Sequence, residues 1–106
     1  VKLFFADAIQ HFEIAYEQCW KSIQRWLQEN ATQADEAEKP RTRRELFRQA
    51  SRAGLIPDPL PWFEYGNARN LTSHIYDEDQ ALQVLETAGR FLCDARTLLE
   101  VFEHEK

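Results

Sequence analysis

Two stretches of this 106-residue chain carry apolar residues at alternating steps of four and three, and that rhythm leaves few folds open. In the first, Phe5, Ile9, Phe12, Tyr16, Cys19, Ile23 and Trp26 recur at the period of one helical face. In the second, Ala81, Leu85, Ala88, Leu92, Ala95, Leu99 and Phe102 keep the same rhythm. Strand-like alternation of apolar and polar residues occurs nowhere, and there is no internal repeat. The spacing predicts two long amphipathic helices, over about 5–28 and about 77–103. In the first, Ala8, Ala15, Trp20 and Leu27 widen the apolar stripe, while Glu13, Glu17, Lys21 and Arg25 sit opposite at spacings that allow i,i+4 charge pairs. So wide a stripe implies two packing partners, or one partner and a second subunit.

Local signals divide the segment between them. Residues 30–40 are polar and rich in alanine and glutamate, which predicts a mobile connecting loop. Thr42-Arg43-Arg44-Glu45 is a capping box: the threonine hydroxyl accepts from a first-turn amide while Glu45 reaches back to the threonine's own N–H. It opens a short helix whose apolar side is Leu46, Phe47, Ala50 and Ala53, closed by a left-handed stop at Gly54. Pro57-Asp58-Pro59-Leu60-Pro61 makes a stiff turn into a third helix ending near Thr72. Asp77-Glu78-Asp79-Gln80 supplies an acidic first turn and a second capping box for the last helix. The expected fold is all-α, an antiparallel bundle of two long helices with two short helices in the connection, forming a single domain over residues 1–106. Because the chain opens at Val1 and contains no methionine, a further N-terminal helix is expected upstream.

With 43% hydrophobic residues and three tryptophans the chain can fill a modest core without metal or disulfide staples, although a domain this small gains by burying a face in a partner. Cys19 and Cys93 lie far apart within apolar stripes and read as reduced packing residues. No apolar run approaches the roughly 18 residues that span a bilayer, and no secretory leader opens the chain, so a cytoplasmic protein without membrane contact is expected. The formal net charge of -5 argues against a general nucleic-acid coat protein. Charge is unevenly spread, however: Arg41, Arg43, Arg44 and Arg48 stand against the single acid Glu45, which leaves room for a local basic patch.

Chemistry concentrates at the end of the third helix. Arg69 is a helical neighbour of Thr72 and Ser73, and His74 follows where the helix should end. Arginine offers a fixed fork of donors for a phosphate, and histidine exchanges protons near neutral pH. The pair suits metal-free phosphodiester chemistry on RNA, with histidine withdrawing the ribose 2′-hydroxyl proton and arginine stabilising charge on five-coordinate phosphorus. No acidic cluster at metal-ligand spacing points elsewhere, and no cofactor is implied. The same two residues also admit an ordinary reading, a histidine favouring a helix dipole and an arginine paired with an acid such as Asp77.

The surroundings favour the chemical reading. Three blocks, FEIAYEQCWKSIQRWL (12–27), LFRQASRAGLI (46–56) and WFEYGNARNLTSHIYD (62–77), resemble the nucleotidyltransferase substrate-binding proteins of the HEPN group, which includes the HepT-type toxins. The resemblance runs from about Ala8 onward, and its most specific element is Arg-x-x-x-x-His-x-Tyr, matched by Arg69, His74 and Tyr76 with Asn70 directly after the arginine. It implies a HEPN-like bundle of four or five helices. The bundle would form a homodimer in which the two Arg/His motifs line one cleft, and an MNT-type nucleotidyltransferase would bind that dimer. In the toxin branch the motif belongs to a ribonuclease acting on RNA, which would make Arg69 and His74 catalytic and Asn70, Thr72 and Ser73 supporting or phosphate-binding residues. The partner silences that branch by transferring AMP to the motif tyrosine, here Tyr76. The alternative within the family is a non-catalytic subunit that binds a nucleotide or other substrate for the nucleotidyltransferase. This chain departs from the common pattern in carrying Asn67-Ala68 before the arginine, where an acidic residue often stands.

Other candidates have weaker claims. Arg44, Arg48 and Arg52 share one stripe and can steer RNA or simply remain solvated. Trp20, Trp26, Trp62 and Phe63 fit a core or an interface better than a base-stacking platform. His11 and His104 belong to helix surfaces.

Overall fold

The computed structural model describes residues 2–30 and 39–104, with side chains from Phe5 onward. The expected loop at residues 31–38 lies outside the described residues. Four α-helices appear among them: α1 (Lys2–Asn30), α2 (Arg43–Arg52), α3 (Leu60–Leu71) and α4 (Glu78–His104), with a 3-10 turn at Thr72–His74 after α3. No strand occurs among the described residues. The long helices pack antiparallel, and at 1.5 Å per residue the 29 residues of α1 account for most of the 50 Å long axis.

Both capping boxes form, one residue wider than expected. Thr42 Oγ1 accepts from the Glu45 amide at 3.2 Å, but the Glu45 carboxylate takes the amide of Arg41 at 2.7 Å, not that of Thr42. At α4, Asp77 Oδ1 accepts from Gln80 N at 2.8 Å and Gln80 Oε1 takes the Tyr76 amide at 2.7 Å. The end of α2 follows the sequence closely. Leu55 N bonds Ala50 O and Gly54 N bonds Ser51 O, with Gly54 at φ 85, a conformation that L side chains rarely adopt.

The core centres on aromatic rings from three helices. Phe91 of α4 meets Phe12, Tyr16, Trp62 and Tyr65 edge-on, with ring centroids 5.4 to 6.2 Å apart. The α1 stripe is buried as expected at Ile9, Phe12, Tyr16 and Ile23. The α4 stripe is buried only in part, with Leu85, Ala88, Ala95 and Phe102 half-buried against the core. Val84, Phe91 and Leu98 face inward with Ala81, while Leu92 and Leu99 are 53% and 58% exposed. Adjacent helical residues point about 100° apart, so two apolar lines share this helix, and packing against α1 and α3 selects the line bearing the phenylalanine. Cys93, expected in a packed stripe, is exposed on α4; Cys19 is half-buried, and burial pushes its thiol up to about 11.

Candidate functional site

Arg69 occupies the last turn of α3, and its orientation is set from another helix. Glu13 of α1 places a carboxylate oxygen 3.1 Å from Arg69 Nη1. Thr72 Oγ1 accepts from the same nitrogen at 3.1 Å and donates to the Arg69 carbonyl at 2.6 Å. With Asn67-Ala68 and no acid directly before Arg69, its carboxylate partner comes from Glu13 across space, and Asp77, the other candidate partner, caps α4. Both contacts fall on Nη1. Nη2 and Nε have no hydrogen-bond partner among the described residues, which leaves that side of the fork open to an oxyanion.

The backbone beyond Arg69 turns two side chains outward. Thr72–His74 tightens into a 3-10 turn, and Ile75 becomes extended at φ -91, ψ 114. Ile75 packs against the core, so His74 and Tyr76 on either side of it are directed away. Both are exposed, Tyr76 by 83%. Asn70 and Ser73 are exposed as well, whereas the Thr72 hydroxyl is fully engaged with Arg69. The structure therefore joins Arg69 to Thr72 and sets His74 and Tyr76 on the same segment; no hydrogen bond links His74 to Arg69.

A second cluster adjoins Arg69 and was not singled out by sequence. Tyr16, one turn after Glu13, is 1% exposed, and its hydroxyl proton has no acceptor among the described residues, the Arg43 guanidinium that faces its oxygen being a donor. That hydroxyl lies against Gly66, one turn before Arg69, where an added Cβ would come within 2.9 Å of it. Arg43 covers the group from α2, its guanidinium carbon 4.4 Å from the Trp20 ring centroid and 5.6 Å from that of Tyr16. Burial raises the Tyr16 pKa, and Arg43, as hydrogen-bond donor to the phenol oxygen and as a charge, together with the Arg69 charge pulls partly against that rise. Only the pairing of residues remote in sequence could have revealed this cluster.

The remaining candidates resolve into packing. Arg44 and Arg48 lie over the Phe63 ring at 4.9 and 5.4 Å, and Trp62 is 1% exposed in the core. His11 and His104 are exposed. No group of three or more His, Cys, Asp or Glu side chains among the described residues is arranged to hold a metal ion. No described helix is long and apolar enough to cross a membrane.

Known proteins resemble this arrangement across most of its length. The chain is 39% identical over 95 residues to a protein of Haemophilus influenzae named probable ribonuclease HepT, covering 90% of this chain but 64% of that relative. It superposes with a TM-score of 0.85 on a Haemophilus influenzae structure described as revealing the fold of a substrate binding domain of a nucleotidyltransferase. That match has 36% sequence identity and covers 96% of this chain and 75% of the other. The family described as nucleotidyltransferase substrate binding protein like matches residues 2–104. With the match extending over essentially all the described helices, the chain belongs to that family.

Proposed function

We propose that this chain, a single HEPN-like domain, is the helical partner subunit of a two-component nucleotidyltransferase system. In this reading Arg69 and His74 form a metal-independent endoribonuclease site. The observation that carries it is the Arg69 side chain, anchored through Nη1 by Glu13 and Thr72 with the rest of its fork open, and followed on the same segment by the exposed His74. His74 takes the ribose 2′-hydroxyl proton, the 2′-oxygen attacks phosphorus, and the 5′-oxygen leaves with a proton, yielding a 2′,3′-cyclic phosphate and a 5′-hydroxyl. Arg69 stabilises the charge that builds on the phosphoryl oxygens. Asn70 and Ser73 stand near enough in sequence to assist in binding, and Thr72 acts by holding Arg69.

Tyr76 is the switch in this proposal. Its hydroxyl attacks the α-phosphorus of ATP in the partner nucleotidyltransferase, forming a phosphodiester to AMP and releasing pyrophosphate. Near-complete exposure of its side chain supports that role, because the acceptor must enter another protein's active site. A bulky anion beside Arg69 and His74 then opposes RNA binding. A homodimer completes the cleft; Leu92 and Leu99, exposed in one seven-residue register with half-buried Leu85, are apolar surface that a second copy would cover.

The test is cleavage of RNA by the unmodified protein without its partner. Cleavage lost in His74→Ala and Arg69→Ala supports the nuclease. Intact RNA with wild-type protein refutes it. Intact mass after co-expression with the nucleotidyltransferase should show AMP-sized increments that vanish in Tyr76→Phe.

The second reading is a non-catalytic subunit presenting a nucleotide to the nucleotidyltransferase. It is favoured by the description of the similar Haemophilus influenzae structure as a substrate binding domain of a nucleotidyltransferase. It expects nucleotide affinity to fall in Arg69→Ala and to persist in His74→Gln.

A further inference from the structure

The Tyr16 hydroxyl is fully buried, and although the Arg43 guanidinium faces its oxygen as a donor, its own proton has no acceptor among the described residues. A buried hydroxyl whose proton has no acceptor is destabilising, and a phenylalanine would fill the same space without that cost. Its surroundings are cationic. Arg43 lies over its ring, and Arg69 follows one turn after the Gly66 backbone it touches. Arg43 also stands in the first turn of α2, where a basic residue opposes the helix dipole and where the first amides have no intrahelical partner. The nearby acids are committed elsewhere: Glu13 to Arg69, Glu17 to Lys21 at 3.1 Å, and Glu45 to the Arg41 amide. Arg43 has no carboxylate partner among the described residues and rests on the Trp20 face.

We propose that Tyr16, Trp20 and Arg43 form a second phosphate-ester subsite beside Arg69, which takes the phosphate of a ribonucleotide adjacent to the one held by Arg69. The exposed Arg43 guanidinium swings from Trp20 onto the phosphate oxygens. That movement uncovers the Tyr16 hydroxyl, which donates to the same phosphate and so gains the acceptor its proton lacks. The vacated Trp20 ring supplies a stacking face for the attached base. The α2 N-terminus adds its positive end. The tight Gly66 contact holds the phenol in place, since any side chain at that position would displace it. The subsite rests on the phosphate-handling role of Arg69 and lengthens that site along the strand.

The experiment uses the intact protein and two probes, a 2′-O-methyl RNA decamer that cannot be cleaved through its 2′-oxygen, and AMP. Tyr16→Phe is expected to keep or raise the melting temperature while weakening decamer binding about tenfold, the loss of one hydrogen bond to a charged group. Arg43→Gln is expected to weaken it similarly and to reduce the slope of log affinity against log salt by about one. AMP affinity falling in parallel identifies a mononucleotide as sufficient ligand; a fall confined to the decamer identifies an RNA strand. Wild-type affinity in both variants overturns the subsite, as does failure of the wild type to bind either probe. Cleavage of unmodified RNA is measured separately. Weakened binding in the variants alongside an inactive wild type sustains the subsite and removes the nuclease reading. Cleavage dependent on His74 with unaltered binding in Tyr16→Phe and Arg43→Gln does the reverse.

Discussion

Tyr16 and Tyr65 pack against the same phenylalanine, Phe91, at centroid distances of 6.2 and 5.5 Å, yet their hydroxyls meet opposite fates. The Tyr65 hydroxyl donates to the carboxylate of Asp94 on α4. The Tyr16 hydroxyl, on a residue as little exposed, meets the Gly66 backbone and two cations, and its proton finds no acceptor among the described residues. A satisfied buried hydroxyl ties helices together, whereas an orphaned one reserves its bond for something else. The contrast separates a structural side of the aromatic core from the side that carries Arg69.

The largest effect should come from the ring that both tyrosines share. Phe91→Ala should cost about 3–5 kcal/mol in chemical denaturation; a loss under 1 kcal/mol would remove Phe91 as the common support. Next, Tyr65→Phe should cost about 1–2 kcal/mol, because Asp94 loses its donor. Tyr16→Phe in the same assay should cost nothing, and equal losses in the two variants would erase the contrast. Gly66→Ala should lower stability by roughly 1 kcal/mol, the 2.9 Å clash outweighing the better helix propensity of alanine. Combined with Tyr16→Phe, which removes the clashing oxygen, it should become neutral or stabilising, a coupling read from a double-mutant cycle.

The smallest effect concerns alkaline pH. Burial first, and the Asp94 carboxylate second, raise the Tyr65 pKa above its ordinary value of 10. A raised folded-state pKa means that this contribution is fully present below pH 10, where the unfolded phenol is still protonated, and is lost as pH climbs beyond it. Wild-type stability should therefore fall more steeply above pH 10 than that of Tyr65→Phe, a difference measured by denaturation at pH 9 and 11.

Much of this molecule was legible in its residues because the forces concerned are local. Thr42 with Glu45, Asp77 with Gln80 and the Gly54 stop each act within five residues, and α2 and α4 begin or end where those signals stand. Arg69, His74 and Tyr76 were visible for the same reason, as a short motif on one helix end. The rotation of α4 was not, since Val84-Phe91-Leu98 and Leu85-Leu92-Leu99 are both apolar lines of equal period.

Sequence alone determined that the chain is helical, where its helices are punctuated and which segment carries an Arg/His/Tyr motif, because backbone hydrogen bonding and capping are satisfied between near neighbours. Tertiary structure decided which face of α4 is core, that Glu13 orients Arg69 from 56 positions away, and that the Tyr16 hydroxyl is left facing cations without an acceptor. Those outcomes depend on which surfaces meet in space, and that choice is made by the packing of the whole bundle.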